Sequence, residues 1–381
     1  MNHQGLLQPL QVRGCAIPNR IVMSPMTRGF CPGGAPTAEV RDYYARRAQG
    51  GCGLIITEAV GIDHPSALGD AGLGEDNIPV LHGAKAQQGW REVVQAVHDA
   101  GGKIVPQLWH QGALRLPGTG PFPEAPVSSP SGIWGEPGQL TALAEEKIPS
   151  DMRIGQPMTD AEIEQVIDGY ARSAKGAMLA GFDGVAIHGA HGYLIDTFLW
   201  ANTNYRQDRW GGNRCARTRF AVEIIRRIRQ ETGPDLPIFF RFSDWKQQDF
   251  RAQLATTPQE LEELLGPLAD AGVDVFDASV RYFDKPAYEG STLNLAGWAK
   301  KVTGKRSMTV GGVGINKGLY DGKSDISAVN NLERVMQRLD NGEFDLVGVG
   351  RALLGDAQWP RKIIAGEKVC AFDSAALSRL T

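Results

Sequence analysis

Two histidines and a tyrosine lie close together near the middle of the chain, at His188, His191 and Tyr193. Imidazole and phenol groups are frequent acids, bases and hydrogen-bonding groups in enzyme sites. Only glycine and alanine stand between them, so the backbone can turn sharply there and pass close to a ligand. The spacing therefore predicts a functional cluster rather than three unrelated side chains.

The same two histidines could instead be metal ligands. A zinc-binding helix of the common type places its histidines four residues apart with a glutamate between them, whereas His188 and His191 are three apart and lack that glutamate. No carboxylate obviously completes a ligand set. We therefore expect no metal at this site.

The segments that must position the cluster alternate between strand and helix patterns. Val185 and Ile187, just before it, are β-branched and flanked by small residues, which is typical of a strand buried on both faces. Counting this one, strand candidates fall at about 20–25, 52–58, 103–108, 183–188, 237–242, 273–278, 307–312 and 345–350. Such alternation predicts an α/β fold of the (β/α)8 (TIM) barrel type, whose functional side chains lie at the carboxyl ends of the strands. A doubly wound open sheet stays an alternative, although no G-x-G-x-x-G turn follows an early strand.

Local signals mark where several helices begin and end. Capping boxes at Thr159–Glu162 and Thr257–Glu260 predict two helix starts. Three helical patterns end in a glycine that is followed by an aspartate and a short apolar strand, and these aspartates are Asp183, Asp274 and Asp345. Their place before the strands predicts a structural role for them rather than a catalytic one.

The composition of the 381 residues limits the class of protein. With 42% hydrophobic and 22% charged residues and a net charge of -3, the chain reads as an ordinary globular protein. The isoelectric point near 6.2 gives no sign of a nucleic-acid or anionic-membrane partner. No apolar run is long enough to span a bilayer, and the first residues lack a secretory signal. Five scattered cysteines favour free thiols and a cytoplasmic location.

We expect one domain over residues 1–381, with a short N-terminal cap. The segment at about 112–157 is rich in Pro, Gly and Ser and is too long for an ordinary loop, so we expect it to cap the active end of the barrel. Pro106 is the weak point of the third strand, because proline cannot donate a ladder hydrogen bond.

Polar residues stand at or just beyond the ends of most predicted strands, where a barrel would bring them to one rim. They are Thr27, Glu58, Gln107, His188, Arg241 and Arg351. The last two strands end in glycine-rich loops, at 309–314 and 347–351. Backbone N–H groups of such loops after strands seven and eight commonly bind a phosphate in this fold, and Arg351 would add a permanent charge. The sequence therefore predicts a phosphate-bearing ligand.

The motif from Ile187 to Phe198, with its His-x-x-His-x-Tyr core, resembles the signature of the old yellow enzyme family of FMN-dependent ene-reductases, which are (β/α)8 barrels. Segments 19–28, 54–59, 107–112 and 204–212 resemble the first, second and third strands and the loop beyond the fourth. Gly350-Arg351 resembles the phosphate-binding end. Together these segments extend over nearly the whole chain.

The resemblance implies a set of FMN contacts. Thr27 would hydrogen-bond the flavin C4 carbonyl, Gln107 would hold the pyrimidine edge, and Arg241 would place positive charge near N1 and O2. The full set that it implies is Pro25, Met26, Thr27, Ala59, Gln107, Arg241, Gly311, Gly312, Gly350 and Arg351.

The resemblance also implies a mechanism. His188 and His191 would hold the carbonyl oxygen of an α,β-unsaturated compound, or a nitro group, while FMN delivers hydride to the β-carbon. Tyr193, with an unperturbed phenol pKa of about 10, would give its proton to the α-carbon. NADPH or NADH would first reduce the flavin, and Trp109 would shape the substrate pocket. We expect a monomer or homodimer whose only partners are small molecules.

The sequence departs from the family in one loop and leaves rival readings open. Many members have a tyrosine after the second strand, whereas residues 61–66 contain none, so one wall of the substrate site has no assigned residue. Trp245, Lys246 and Tyr282 are candidates for the rim of the pocket, and Arg241 could simply form a buried ion pair. The main rival function is a non-redox lyase or isomerase that binds a phosphorylated substrate at the glycine loops. A second is a flavin-binding protein that turns over poorly.

Overall fold

The computed structural model describes residues 4–70, 77–142, 145, 148–316, 331–370 and 372–381. Ten strands are found in these ranges: β1 (Leu10–Val12), β2 (Cys15–Ile17), β3 (Ile21–Met23), β4 (Leu54–Gly61), β5 (Lys103–Trp109), β6 (Val185–His188), β7 (Ile238–Ser243), β8 (Val275–Ser279), β9 (Arg306–Val310) and β10 (Leu346–Val349). Strands β3 to β10 pair in parallel and close into an eight-stranded barrel, with β10 beside β3. The predicted (β/α)8 barrel is confirmed, and each of the eight predicted segments overlaps one barrel strand.

Helices cover the outside of the barrel between most of the strands. They are α1 (Gln4–Leu7), α2 (Ala38–Gln49), α3 (Ala84–Asp99), α4 (Asp160–Ala180), α5 (Leu194–Leu199), α6 (Arg214–Arg217), α7 (Arg219–Thr232), α8 (Pro258–Ala271), α9 (Leu295–Thr303), α10 (Leu332–Asp340), α11 (Arg351–Gly355) and α12 (Trp359–Ala365). Their buried apolar faces pack on the strands in one continuous core. No helix in the described ranges is long and apolar enough to cross a membrane.

The two predicted capping boxes differ in detail. At α4 the box is reciprocal, because Glu162 N donates to Thr159 Oγ1 and Thr159 N donates to Glu162 Oε2. At α8 the Thr257 hydroxyl accepts from Glu260 N, but the Glu260 carboxylate accepts from the backbone and hydroxyl of Thr256 instead. The second box is therefore shifted outward by one residue.

The three predicted structural aspartates tie the amino ends of neighbouring barrel strands together. Asp183 accepts from Ile104 N, Asp274 accepts from Ile238 N, and Asp345 accepts from Ser307 N, at 2.8, 2.9 and 3.0 Å. Each carboxylate also pairs with basic side chains, such as Lys103 beside Asp183. These aspartates therefore lie at the end of the barrel opposite the His-His-Tyr cluster.

The β1–β2 hairpin closes that same amino end. Its four inward side chains, Leu10, Val12, Cys15 and Ile17, are buried in one apolar cluster with residues from all eight barrel strands. The hairpin thus seals one end of the barrel with apolar surface and leaves the carboxyl end for the site. It corresponds to the predicted N-terminal cap.

Pro106 is accommodated by an irregularity in the neighbouring strand. The pairing of β4 with β5 shifts register between Ile56 and Ala59, so Thr57 and Glu58 stand opposite Pro106 alone. A bulge of this kind needs no N–H from the proline. The bulge also separates the regular start of β4 from Ala59, which faces the site.

The segment between β5 and α4 lies over the loop that follows β7. Gly138 N donates to Gln248 O and Ala142 N donates to Gln247 O, at 2.8 and 2.9 Å. Gln248 Nε2 returns a hydrogen bond of 3.3 Å to Trp134 O. The described residues of the expected insertion at 112–157 therefore cover part of the active end of the barrel.

Candidate active site

A cavity of about 330 Å³ opens at the carboxyl end of the barrel. Every position expected from the sequence to bind cofactor or substrate lines it: Pro25, Met26, Thr27, Ala59, Gln107, Trp109, His188, His191, Tyr193, Arg241, Gly311, Gly312, Gly350 and Arg351. Their strands are far apart in sequence, and the closed parallel barrel directs the carboxyl ends of all of them to this rim.

The His188, His191 and Tyr193 rings form a compact group in this cavity. The His188 ring meets the rings of His191 and Tyr193 edge-on, with centroids 5.0 and 4.9 Å apart. Trp109 stacks on His188 at 6.5 Å and meets Tyr193 edge-on at 4.8 Å. All three polar rings can therefore reach a single small ligand.

The backbone at His191 makes this convergence possible. His191 has φ of +64°, an uncommon value for a residue other than glycine, and Gly192 follows with φ of +82°. A β-carbon on Gly192 would lie 1.8 Å from Gln248 Oε1, so no larger residue fits there without displacement. The two left-handed residues turn the chain from β6 into α5, whose first residue directly follows Tyr193.

Both histidines are neutral near neutral pH. Burial, together with the Arg241 charge, holds the pKa of His188 well below its usual range. Burial is also the main cause of the lowered pKa of His191, and His188, Arg241 and Lys246 add to it. His188 Nδ1 accepts a hydrogen bond from Ala190 N at 3.4 Å, so its proton lies on Nε2 and can be donated to a ligand.

Two residues beside His191 have contacts that the sequence did not predict. Ser279 was not among the predicted site residues, and Trp245 was only a candidate for the rim of the pocket. Ser279, at the end of β8, lines the cavity, and its Oγ lies 2.7 Å from His191 Nε2. Trp245 also lines the cavity and stacks on the His191 ring with centroids 4.2 Å apart. Ser279 stands at the carboxyl end of a predicted strand, and this position was the one sequence signal that could have identified it.

Arg241 both lines the cavity and forms a buried ion pair. Its Nε lies 2.8 Å from Asp277 Oδ2, and the two side chains are 7% and 2% exposed. Burial raises the pKa of Asp277 to about 6, with Arg241 acting in the opposite direction. Arg241 therefore forms the buried ion pair that was the alternative interpretation, and it also faces the cavity.

Glu58 has a structural part in the site. Its Oε2 accepts hydrogen bonds from Arg28 N and Gly29 N, at 2.9 and 3.0 Å. These two residues directly follow Thr27, so the carboxylate fixes the chain beyond the first barrel strand. Burial raises the pKa of Glu58 to about 7, although both N–H groups oppose the shift.

Several features of the cavity wall fit a flavin mononucleotide. Gln107 Nε2 is buried and has no hydrogen-bond partner among the described residues, so it is free to bind a polar ring edge. Gly311 and Gly312 have φ of +132° and +71°, and a β-carbon on Gly311 would lie 2.3 Å from Val280 O. The glycine loop therefore presents bare backbone to a cavity that Arg351 and the buried cation of Arg241 also line.

The tyrosine-free loop after the second barrel strand does not line this cavity. His64 and Ser66 line a second cavity of about 960 Å³, bordered by α4 and the capping segment. Ser66 Oγ bonds His64 Nδ1 and His110 Nε2 there, at 2.9 and 3.1 Å. The first cavity is instead lined by Trp245, Gln247 and Ser279, among others. Tyr282 lines a third cavity of about 370 Å³.

A metal site at the histidine cluster would need further ligands near His188 and His191. Among the residues that the structure describes, no group of three or more His, Cys, Asp or Glu side chains could hold a metal ion. The nearest partner of His191 is instead a serine hydroxyl.

Barrel and site together define the class of protein, a (β/α)8 barrel with a His-His-Tyr cavity at its carboxyl end. Comparison with known proteins then gives the family: a model described as the NADH:flavin oxidoreductase / NADH oxidase family matches residues 5–368, and the chain belongs to this family. One curated relative is an NADH oxidase from Thermoanaerobacter brockii, 34% identical over 373 residues. That alignment covers 94% of this chain and 50% of the relative, so the chain spans about half the length of that protein.

Solved structures agree with this assignment. An old yellow enzyme homologue from Zymomonas mobilis superposes with a TM-score of 0.77 at 28% identity, covering 98% of this chain and 96% of that one. A structure of morphinone reductase in complex with tetrahydroNAD has a TM-score of 0.77 at 26% identity, with 98% and 94% coverage. The resemblance to the old yellow enzyme family is thus confirmed.

Proposed function

We propose that this chain is an FMN-dependent NAD(P)H oxidoreductase that reduces the C=C bond of α,β-unsaturated carbonyl compounds and related nitro compounds. The observation that carries the proposal is the convergence of two neutral imidazoles and a phenol on a cavity that is also lined by residues suited to a flavin. Neutral imidazoles suit this task because they donate a hydrogen bond without bringing a charge to the substrate.

FMN would be held by groups from several strand ends. Gln107 would bind the pyrimidine edge of the flavin with its unpaired amide nitrogen, and Thr27 would hydrogen-bond the neighbouring carbonyl. Arg241 would stabilise negative charge on the reduced ring, because a buried cation is weakly screened. Gly311, Gly312, Gly350 and Arg351 would bind the phosphate, and Pro25, Met26 and Ala59 would contact the ring.

The chemistry supplied by bound FMN is hydride transfer, from NADPH or NADH to the flavin and from the flavin N5 to the β-carbon of the alkene. His188 donates from Nε2 to the substrate carbonyl oxygen, and His191 acts at the same oxygen. These hydrogen bonds draw electron density away from the β-carbon. Tyr193 Oη then gives its proton to the α-carbon and recovers one from solvent, so that two hydrogens add across the double bond.

The relatives support this chemistry by name. One is an NADH oxidase, and a solved neighbour is a reductase bound to tetrahydroNAD. We therefore infer that NADPH or NADH enters the cavity now lined by His188, His191 and Tyr193, in alternation with the alkene.

Product analysis tests the proposal. Purified protein loaded with FMN is mixed anaerobically with 2-cyclohexenone and either NADPH or NADH, and both nucleotide consumption and cyclohexanone are measured. We expect one cyclohexanone for each nucleotide oxidised, and no consumption when cyclohexanone replaces the enone. Nucleotide oxidation that the enone does not stimulate, with no saturated product, would contradict the proposed activity.

A further inference from the structure

A lysine and an aspartate form a fully buried ion pair beside the His-His-Tyr cluster. Lys246 Nζ lies 2.9 Å from Asp196 Oδ2, and both side chains are 0% exposed. Neither residue lines the cavity, and the mechanism above uses neither. Removing two charges from water is costly, and their mutual attraction often fails to return that free energy, so the pair is poorly explained by stability alone.

The aspartate holds the backbone between the two catalytic side chains. The oxygen that faces Lys246 also accepts a hydrogen bond from Gly192 N at 2.7 Å. Gly192 is the single residue between His191 and Tyr193, and it follows the left-handed His191. A left-handed backbone at a residue with a β-carbon is unfavourable and persists only where surrounding contacts hold it.

The loop that carries the lysine holds the same turn from its other side. His191 pairs with Lys246 as an isolated parallel bridge, and Gln247 N donates to His191 O at 3.2 Å. His191 N in turn donates to Ser243 Oγ at 3.1 Å. The ion pair therefore joins α5, which follows the turn, to the loop after β7, which encloses it.

We propose that the Asp196–Lys246 pair positions the His191–Tyr193 turn, so that the imidazole of His191 and the phenol of Tyr193 reach the substrate together. This inference rests on the proposed function, because it gives the turn a task in alkene reduction. Asp196 and Lys246 are positioning residues, since they act through the backbone of the turn and not on the substrate.

The test removes both charges and follows the turn directly. The double variant Asp196→Asn/Lys246→Met leaves no unpaired buried charge, and its asparagine oxygen can still accept from Gly192 N. Hydrogen exchange of the purified holoprotein is measured over residues 189–199, together with the dissociation constant of FMN and the rate at which 2-cyclohexenone reoxidises the reduced flavin. Asp183→Asn, which removes a charge at the opposite end of the barrel, is the matched control.

We expect exchange over 189–199 to be about tenfold faster in the double variant, corresponding to easier local opening of the turn. Reoxidation by the enone should slow by a similar factor, while FMN affinity stays unchanged and Asp183→Asn changes neither rate. A folded, flavin-loaded double variant with parental exchange and parental reoxidation would overturn the inference. If the double variant does not fold, Asp196→Asn/Lys246→Gln, which also leaves no unpaired buried charge, is measured in the same way.

The two proposals fail differently. A parent protein that binds FMN but never reduces 2-cyclohexenone would remove the proposed function. Exchange over 189–199 would still decide whether the ion pair holds the turn, because that measurement needs no substrate.

Discussion

His191 Nε2 lies 2.7 Å from Ser279 Oγ, at the carboxyl end of β8. Trp245 stacks on one face of the same ring. The ring of His191 is therefore fixed by a hydroxyl and an indole before any substrate arrives. An enzyme gains from such fixing, because a preorganised donor needs no reorganisation during the reaction.

Replacing Ser279 by alanine should weaken substrate binding. The imidazole of His191 loses its hydrogen-bond partner, and a typical net hydrogen bond contributes about 0.5–1.5 kcal/mol, so we expect the dissociation constant of 2-cyclohexenone to rise by roughly two- to thirteenfold. The constant is read from the change in flavin absorbance on titrating the oxidised protein. Ser279→Thr keeps the hydroxyl and should restore most of the affinity. Tighter binding to Ser279→Ala would show that the serine competes with the substrate.

Replacing Tyr193 by phenylalanine should separate the two half-reactions. Loss of a proton donor typically costs about 10²–10⁴ in rate, so reoxidation of the flavin by 2-cyclohexenone should slow by that order. Flavin reduction by NADPH involves no proton from the phenol and should be spared. Stopped-flow absorbance follows each half-reaction separately. Equal loss in both would rule out the proton-donor role.

Arg241 and Asp277 should change the reduction potential of the flavin in opposite directions. Arg241→Met, made together with Asp277→Asn to avoid a lone buried carboxylate, removes the positive charge that favours the reduced ring. If the reduced flavin loses about 1.4 kcal/mol of stabilisation, the midpoint potential for two electrons falls by roughly 30 mV. We expect a more negative midpoint potential by that amount or more. Asp277→Asn alone leaves the cation unpaired and should move the potential in the positive direction. Spectroelectrochemical titration measures both, and equal shifts of one sign would contradict this account.

Glu58 should make stability fall as pH rises. The folded-state pKa is raised to about 7 from an ordinary value of 4.5, so the native protein holds a proton that the unfolded chain releases. Below about pH 4.5 the Glu58 carboxyl therefore does not reduce the free energy of unfolding. Between about pH 4.5 and pH 7 it lowers that free energy progressively, by roughly 3 kcal/mol in all. Glu58→Gln removes this loss, and its advantage over the parent in urea unfolding should be larger at pH 8 than at pH 5. Parallel stability curves would disprove the raised pKa.

The barrel could be predicted from the sequence because its signals are local. A strand buried on both faces needs a short apolar run, as at Val185 and Ile187, and a glycine must end the helix before it. The sequence was less informative about the start of a helix where two neighbouring residues could both cap it. Thr256 rather than Thr257 binds the Glu260 carboxylate, and only the backbone geometry decides between them.

The site was only partly predictable, because some of its contacts join residues that are far apart in the sequence. His188, His191 and Tyr193 are adjacent and chemically conspicuous, so they could be named at once. Ser279 and Lys246 matter through contacts with His191 and Asp196 that span 88 and 50 residues. No periodicity or spacing in the sequence records such contacts, and the missing tyrosine after the second strand gave no indication of which other residues would line the cavity.

The most decisive measurement is the visible absorption spectrum of the purified protein, recorded anaerobically before and after NADPH and then after 2-cyclohexenone. We expect a flavin spectrum that bleaches with NADPH and recovers fully with the enone, since one cavity serves both half-reactions. A colourless protein that stays colourless after incubation with FMN would contradict it. The glycine loops and Arg351 would then be better explained as the binding site of a phosphorylated substrate.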